Sequence, residues 1–109
     1  MQTVVQVVCK PGTSSLREAI RNDKRLDDSG FVVVTEKKPG RSQGWLKLHS
    51  TVENRRGAIN IVWLEESSVL MCRVVNRKRG RPALITGDLV DYLLARHSKR
   101  IQSISVIPR

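Results

Sequence analysis

The stretch "AINIVWLEESSVLMCRVV", Ala58 to Val75, contains two apolar runs separated by Glu65-Glu66-Ser67-Ser68. Each run is rich in β-branched residues and too short to persist as an isolated helix, so the pair reads as a hairpin folded at Glu65 to Ser68. Apolar residues fall on both faces of each arm. A strand with one solvated face would alternate polar with apolar, so these arms are expected in the middle of a sheet.

Working outward toward the N-terminus, "ENRRG" is a turn, and "WLKLHSTV" before it alternates. Leu46 and Leu48 share one face, while Trp45, Lys47 and His49 share the other. "PGRSQG" is a loop and "FVVVTEKK" another strand. In "PGTSSLREAIRNDKRLDDSG" a turn signal precedes Ser15-Leu-Arg-Glu18, the spacing of a capping box. A helix is expected there with a thin stripe of Leu16, Ala19, Ile20 and Leu26, stopped by Gly30. "TVVQVVCK" opens the chain as a strand. The helix between two apolar strands permits either a parallel crossover pair or a split arrangement.

Toward the C-terminus, "TGDLVDYLLARHSKR" predicts a helix capped by Thr86 or Asp88. Its core stripe is Leu89, Val90, Leu93, Leu94 and His97, and Tyr92 is placed at its edge with the hydroxyl in solvent. Asp88 and Asp91 suit the positive end of such a helix, and Arg96, Lys99 and Arg100 its negative end. "IQSISVIP" closes as a strand. The order β-α-β-β-β-β-α-β predicts a single α+β globular domain over residues 1–109. Its architecture is a two-layer sandwich: a mixed, mostly antiparallel sheet of about six strands with two helices on one face. The other sheet face must be solvated, bound to something or paired in a dimer.

Between hairpin and last helix lies "NRKRGRPALI", with Arg77, Lys78, Arg79 and Arg81 inside five positions. The chain as a whole has 20 Lys and Arg against 10 Asp and Glu, a formal charge of +10. The excess is uneven: residues 1–54 hold nine basic and six acidic side chains, residues 55–109 eleven and four. Such an excess opposes compaction by self-repulsion, so a polyanionic partner is the economical reading, and a solvated basic surface the alternative. Cys9 and Cys72 lie in apolar runs with no Cys/His spacing that suits a metal, and they are expected to pack as small hydrophobes. No positive n-region, lipoprotein signal or membrane-length apolar run is present in the sequence, and the expected setting is cytoplasmic with no membrane partner.

The segment Lys78-Arg79-Gly80-Arg81-Pro82 resembles the core of an AT-hook, a short element of the DNA minor groove. The resemblance covers only these five residues. It implies that Arg79 and Arg81 lie along the groove floor, that Gly80 lets the backbone approach, and that Arg77 and Lys78 hold phosphates. Gly-Arg-Pro also makes an ordinary turn, and a basic loop touching phosphates needs no groove insertion. The Trp45, Lys47, His49 face is a second candidate, an aromatic platform beside cations for a base and its phosphate. Arg55 and Arg56 in "NRRG" would extend the cationic surface if the fold brings them near.

Three functions stay open. The first is a small nucleic-acid-binding protein contacting the phosphate backbone, DNA favoured, through Arg77, Lys78, Arg79, Gly80, Arg81, Arg55, Arg56, Trp45, Lys47 and His49. The second is an assembly module, homodimeric through the uncovered sheet face. The third is a small nuclease holding Mg²⁺ on Asp88 and Asp91, which are one helical turn apart. No nucleophile elbow, phosphate-binding glycine loop or paired metal-ligand spacing occurs, so neither catalysis nor a cofactor is expected.

Overall fold

A computed structural model describes residues 2–53, 56–76 and 82–108, with the side chain of Pro82 outside the description. The hairpin at the centre of the reading forms as β4 (Gly57–Leu64) and β5 (Val69–Asn76), turning over residues 65–68 with Ser68 at φ 53°. Around it lie β1 (Gln2–Cys9), α1 (Leu16–Arg21), β2 (Phe31–Thr35), β3 (Trp45–Ser50), α2 (Pro82–His97) and β6 (Ile101–Pro108). The sheet order is β2-β3-β4-β5-β1-β6, which puts both hairpin arms in its interior.

Every neighbouring pair in this sheet is antiparallel. The crossover through α1 therefore creates no parallel pair and the sheet is not mixed. The split arrangement is realised because β3, β4 and β5 insert between β2 and β1. Both helices cover the same face. Leu16 and Ile20 of α1 and Ile85, Leu89, Tyr92 and Leu93 of α2 join Val5, Val7, Phe31, Leu46, Leu48, Ile59, Ile61 and Leu70 in one buried cluster. Cys9 and Cys72 are free thiols buried in that cluster, and burial pushes the Cys72 thiol up to about 12.

Helix boundaries depart from the sequence reading in both cases. α1 ends at Arg21, with Leu26 and Gly30 beyond it, Gly30 at φ 90° after a short 3₁₀ turn. Its cap forms as expected, Ser15 Oγ accepting the Glu18 N–H at 3.2 Å, but the Glu18 carboxylate pairs with Arg17. α2 starts at Pro82, one turn earlier than Thr86. Proline is tolerated at a first helical position because its missing N–H would have no partner there, and the earlier start adds Ile85 to the buried stripe. Thr86, Asp88 and Asp91 thus lie inside the helix and do not cap it. Leu94 points outward at 51 % exposure, displaced from the stripe by Tyr92.

Tyr92 itself is fully buried, not a solvated edge residue. Its hydroxyl donates to Asp23 Oδ2 at 2.8 Å and meets His97 Nε2 at 2.8 Å. Arg96 donates to both Asp23 oxygens, at 3.0 and 3.3 Å. The segment after α1 is thereby latched to the last turns of α2. Arg96 is the main reason the Asp23 carboxyl is held well below the usual carboxylate range, while burial moves His97 down from its ordinary value.

Both shifts act in one direction. Each group binds protons more readily in the unfolded chain, so stability falls as pH drops through the ordinary histidine range and again through the carboxylate range. Tyr92→Phe leaves Asp23 and His97 each short of a partner and is expected to lower stability by about 1–2 kcal/mol in urea unfolding at pH 7. Asp23→Asn is expected to flatten the acid limb of the stability profile below about pH 4.

Candidate nucleic-acid interface

Strand pleating sends alternate side chains to opposite faces, and register decides which of them become neighbours. On the face away from the helices, one cross-strand row runs Lys47, Asn60, Arg73, Val4, Ile107. The adjacent row runs Trp45, Val62, Met71, Gln6, Ser105, and on the other side His49 lies opposite Ala58, followed by Val75 and Gln2. With strands about 4.8 Å apart, Lys47 and Arg73 stand about 10 Å from each other across Asn60.

None of the ten acidic residues lies on a strand. The carboxylates sit on the helices and connecting turns, several already engaged: Asp23 with Arg96, Glu36 with Arg21, Asp28 with Arg25. Neither Lys47 nor Arg73 has a carboxylate partner among the described residues, so the uncovered face carries net positive charge.

Between the two rows opens a cleft of about 340 Å³, bordered by Arg41, Trp45, Asn60, Val62, Met71 and Arg73. Trp45 is only 2 % exposed because Arg41, from the β2–β3 loop, lies over its ring with the guanidinium carbon 5.2 Å from the centroid. The Trp45 backbone is held from the other side: its carbonyl accepts from Arg17 Nε at 3.3 Å and from the Arg17 guanidinium at 2.9 Å. Gly44 precedes it without a Cβ, as an added carbon would come 2.5 Å from the Trp63 carbonyl oxygen. The indole N–H of Trp45 has no hydrogen-bond partner among the described residues, and a buried donor left unpaired costs roughly 1–3 kcal/mol. Trp63 contrasts with it: on the helix side, its indole N–H donates to Glu65 at 2.5 Å.

Trp45, Lys47 and His49 therefore share a face, but the indole is a covered floor and not an open platform. Arg56 is exposed and immediately precedes Gly57, whose register partner is Asn76. Gly57 lets the helix come close here, since a Cβ would meet Ile85 Cδ1 at 2.5 Å and the Val75 carbonyl oxygen at 2.6 Å. The expectations placed on Arg55, Arg77, Lys78, Arg79, Gly80 and Arg81, the AT-hook resemblance included, lie outside the described residues. Asn76 and Pro82 bound the second of these segments, so Arg56 and the segment adjoin one register pair. Asp91 is exposed on α2, and no group of three or more His, Cys, Asp or Glu that could hold a metal occurs among the described residues.

Arg41, Asn60, Met71 and Arg73 were absent from the sequence-derived site. Arg73 and Asn60 do interrupt apolar runs, which marks them as odd, but their adjacency to each other and to Lys47 follows from pairing register. No family model matches the chain, and neither a curated protein nor a solved structure matches it significantly.

Arg41→Ala is expected to uncover Trp45. Acrylamide quenching of tryptophan emission should rise, while stability changes by no more than about 1 kcal/mol, the scale of a surface cation–π contact.

Proposed function

We propose that this protein binds nucleic acid, with cations around the uncovered sheet face and the Arg77–Arg81 segment contacting phosphates. The observation that carries this reading is the segregation of charge: Lys47, Arg73 and Arg41 surround an acid-free sheet surface in a chain of net charge +10. Arg56 adjoins the Gly57 and Asn76 pair at one end of the sheet, and in the sequence Arg77 to Arg81 follow Asn76 directly. Binding then works by releasing condensed counterions, so affinity falls steeply with salt and depends on backbone phosphates before base identity.

A titration of duplex DNA, single-stranded DNA and RNA at two salt concentrations tests the proposal. Nonspecific binding at about 1–100 μM at physiological salt is expected, and failure of all three to bind at low salt would remove it. Replacing Arg77, Lys78, Arg79 and Arg81 together by Ala should reduce the slope of log affinity against log salt by up to about 3–4 units, close to one per lost phosphate contact. Lys47→Ala with Arg73→Ala should reduce it by about 1–2 units.

A second reading, self-association through the same face, draws on Val32 and Val34 of β2 and Ile107 of β6, exposed at 38, 47 and 40 %. Sedimentation over a wide concentration range distinguishes it: a dimer that dissociates on Val32→Lys supports assembly, and a strict monomer removes it.

A further inference from the structure

We infer that the cleft over Trp45 receives one unpaired base of a single-stranded nucleic acid, which displaces Arg41 from the indole. The inference rests on the nucleic-acid reading above and adds which form of the polymer the site selects.

The floor comes first. Trp45 is buried and anchored through its carbonyl by Arg17, its ring face is covered by Arg41, and its indole N–H has no hydrogen-bond partner among the described residues. A base supplies a π-face to take the place of the guanidinium on the ring, since every base has one. The present occupant of the ring face is replaceable. Arg41 is an exposed loop side chain whose planar guanidinium covers the indole without a described carboxylate to hold it there. Once displaced, its charge is free for the phosphate of the incoming nucleotide.

The walls suit the same ligand. Val62 and Met71 give an apolar, adaptable side, Asn60 presents a carboxamide able to donate and accept, and Arg73 stands at the rim without a carboxylate partner among the described residues. At about 340 Å³ the cleft is at the small end of ligand pockets, the scale of one nucleotide and not of a helix. A duplex cannot use it, because its base faces are stacked and only base edges reach the grooves. A single strand can turn one base out at small cost.

The experiment follows the two indole N–H resonances of the full chain by NMR, assigned with Trp63→Phe, or with Glu65→Gln should that variant not fold. Oligouridylate and oligothymidylate of about 12 nucleotides, a mixed-sequence duplex and inorganic polyphosphate are the probes. Expected are a saturable shift of the Trp45 signal with either single strand, none with duplex or polyphosphate, and an unmoved Trp63 signal. Asn60→Ala should weaken single-strand binding several-fold without changing the salt slope, whereas Arg73→Ala should lower both affinity and slope.

A bound single strand that leaves Trp45 unmoved overturns the inference while the nucleic-acid reading stands. So does polyphosphate moving Trp45 as far as the oligonucleotides do, or Asn60→Ala weakening duplex and single strand equally. Failure of every nucleic acid to bind removes both.

Discussion

The period-two pleat of the β4–β5 hairpin is the constraint from which the rest of the molecule follows. Ile59, Ile61, Leu70, Cys72 and Val74 point to one side and are fully buried beneath the helices. Asn60, Val62, Met71 and Arg73, their immediate chain neighbours, must then point to the other. A slip of one residue in register would exchange the two sets, burying Arg73 and Asn60 under α2 and exposing the core. The hydrophobic pattern forbids that slip, and so holds a guanidinium and a carboxamide on the surface that the helices leave open.

Covering one face with two helices has an electrostatic corollary. Acidic side chains occupy helices, caps and turns, where Glu18, Asp23, Asp28 and Glu36 pair with Arg17, Arg96, Arg25 and Arg21. The strands keep none. Residues 16–29 and 82–100, the helical layer, hold seven basic and six acidic side chains and are close to internally compensated, whereas the strands carry Lys47 and Arg73 with no acid.

The Asp23, Tyr92, Arg96 and His97 cluster stands apart from that surface. It lies on the helix side and ties the irregular segment between α1 and β2 to the end of α2. α1 is short and contributes few side chains to the core, so this polar latch does what a longer apolar stripe would otherwise do. Its members are titratable, yet their arrangement is that of a satisfied structural network: the carboxylate is held ionised by Arg96 and the phenol is held protonated by burial and the adjacent carboxylate.

By itself the sequence determined the element order, the hairpin turn at Glu65 to Ser68, the α+β class, the Ser15 cap, the burial of both cysteines and the shared face of Trp45, Lys47 and His49. All of these are local: they depend on hydrophobic period, turn chemistry and residues within a few positions of each other. Tertiary structure decided that no strands pair in parallel, that α2 begins at Pro82, that Tyr92 is buried against Asp23, and that Arg41 covers Trp45. It alone placed Asn60 and Arg73 beside Lys47. Those facts are contacts between residues far apart in the chain, set by strand order and pairing register, and one-dimensional periodicity carries parity along a strand but not the identity of the neighbour across it.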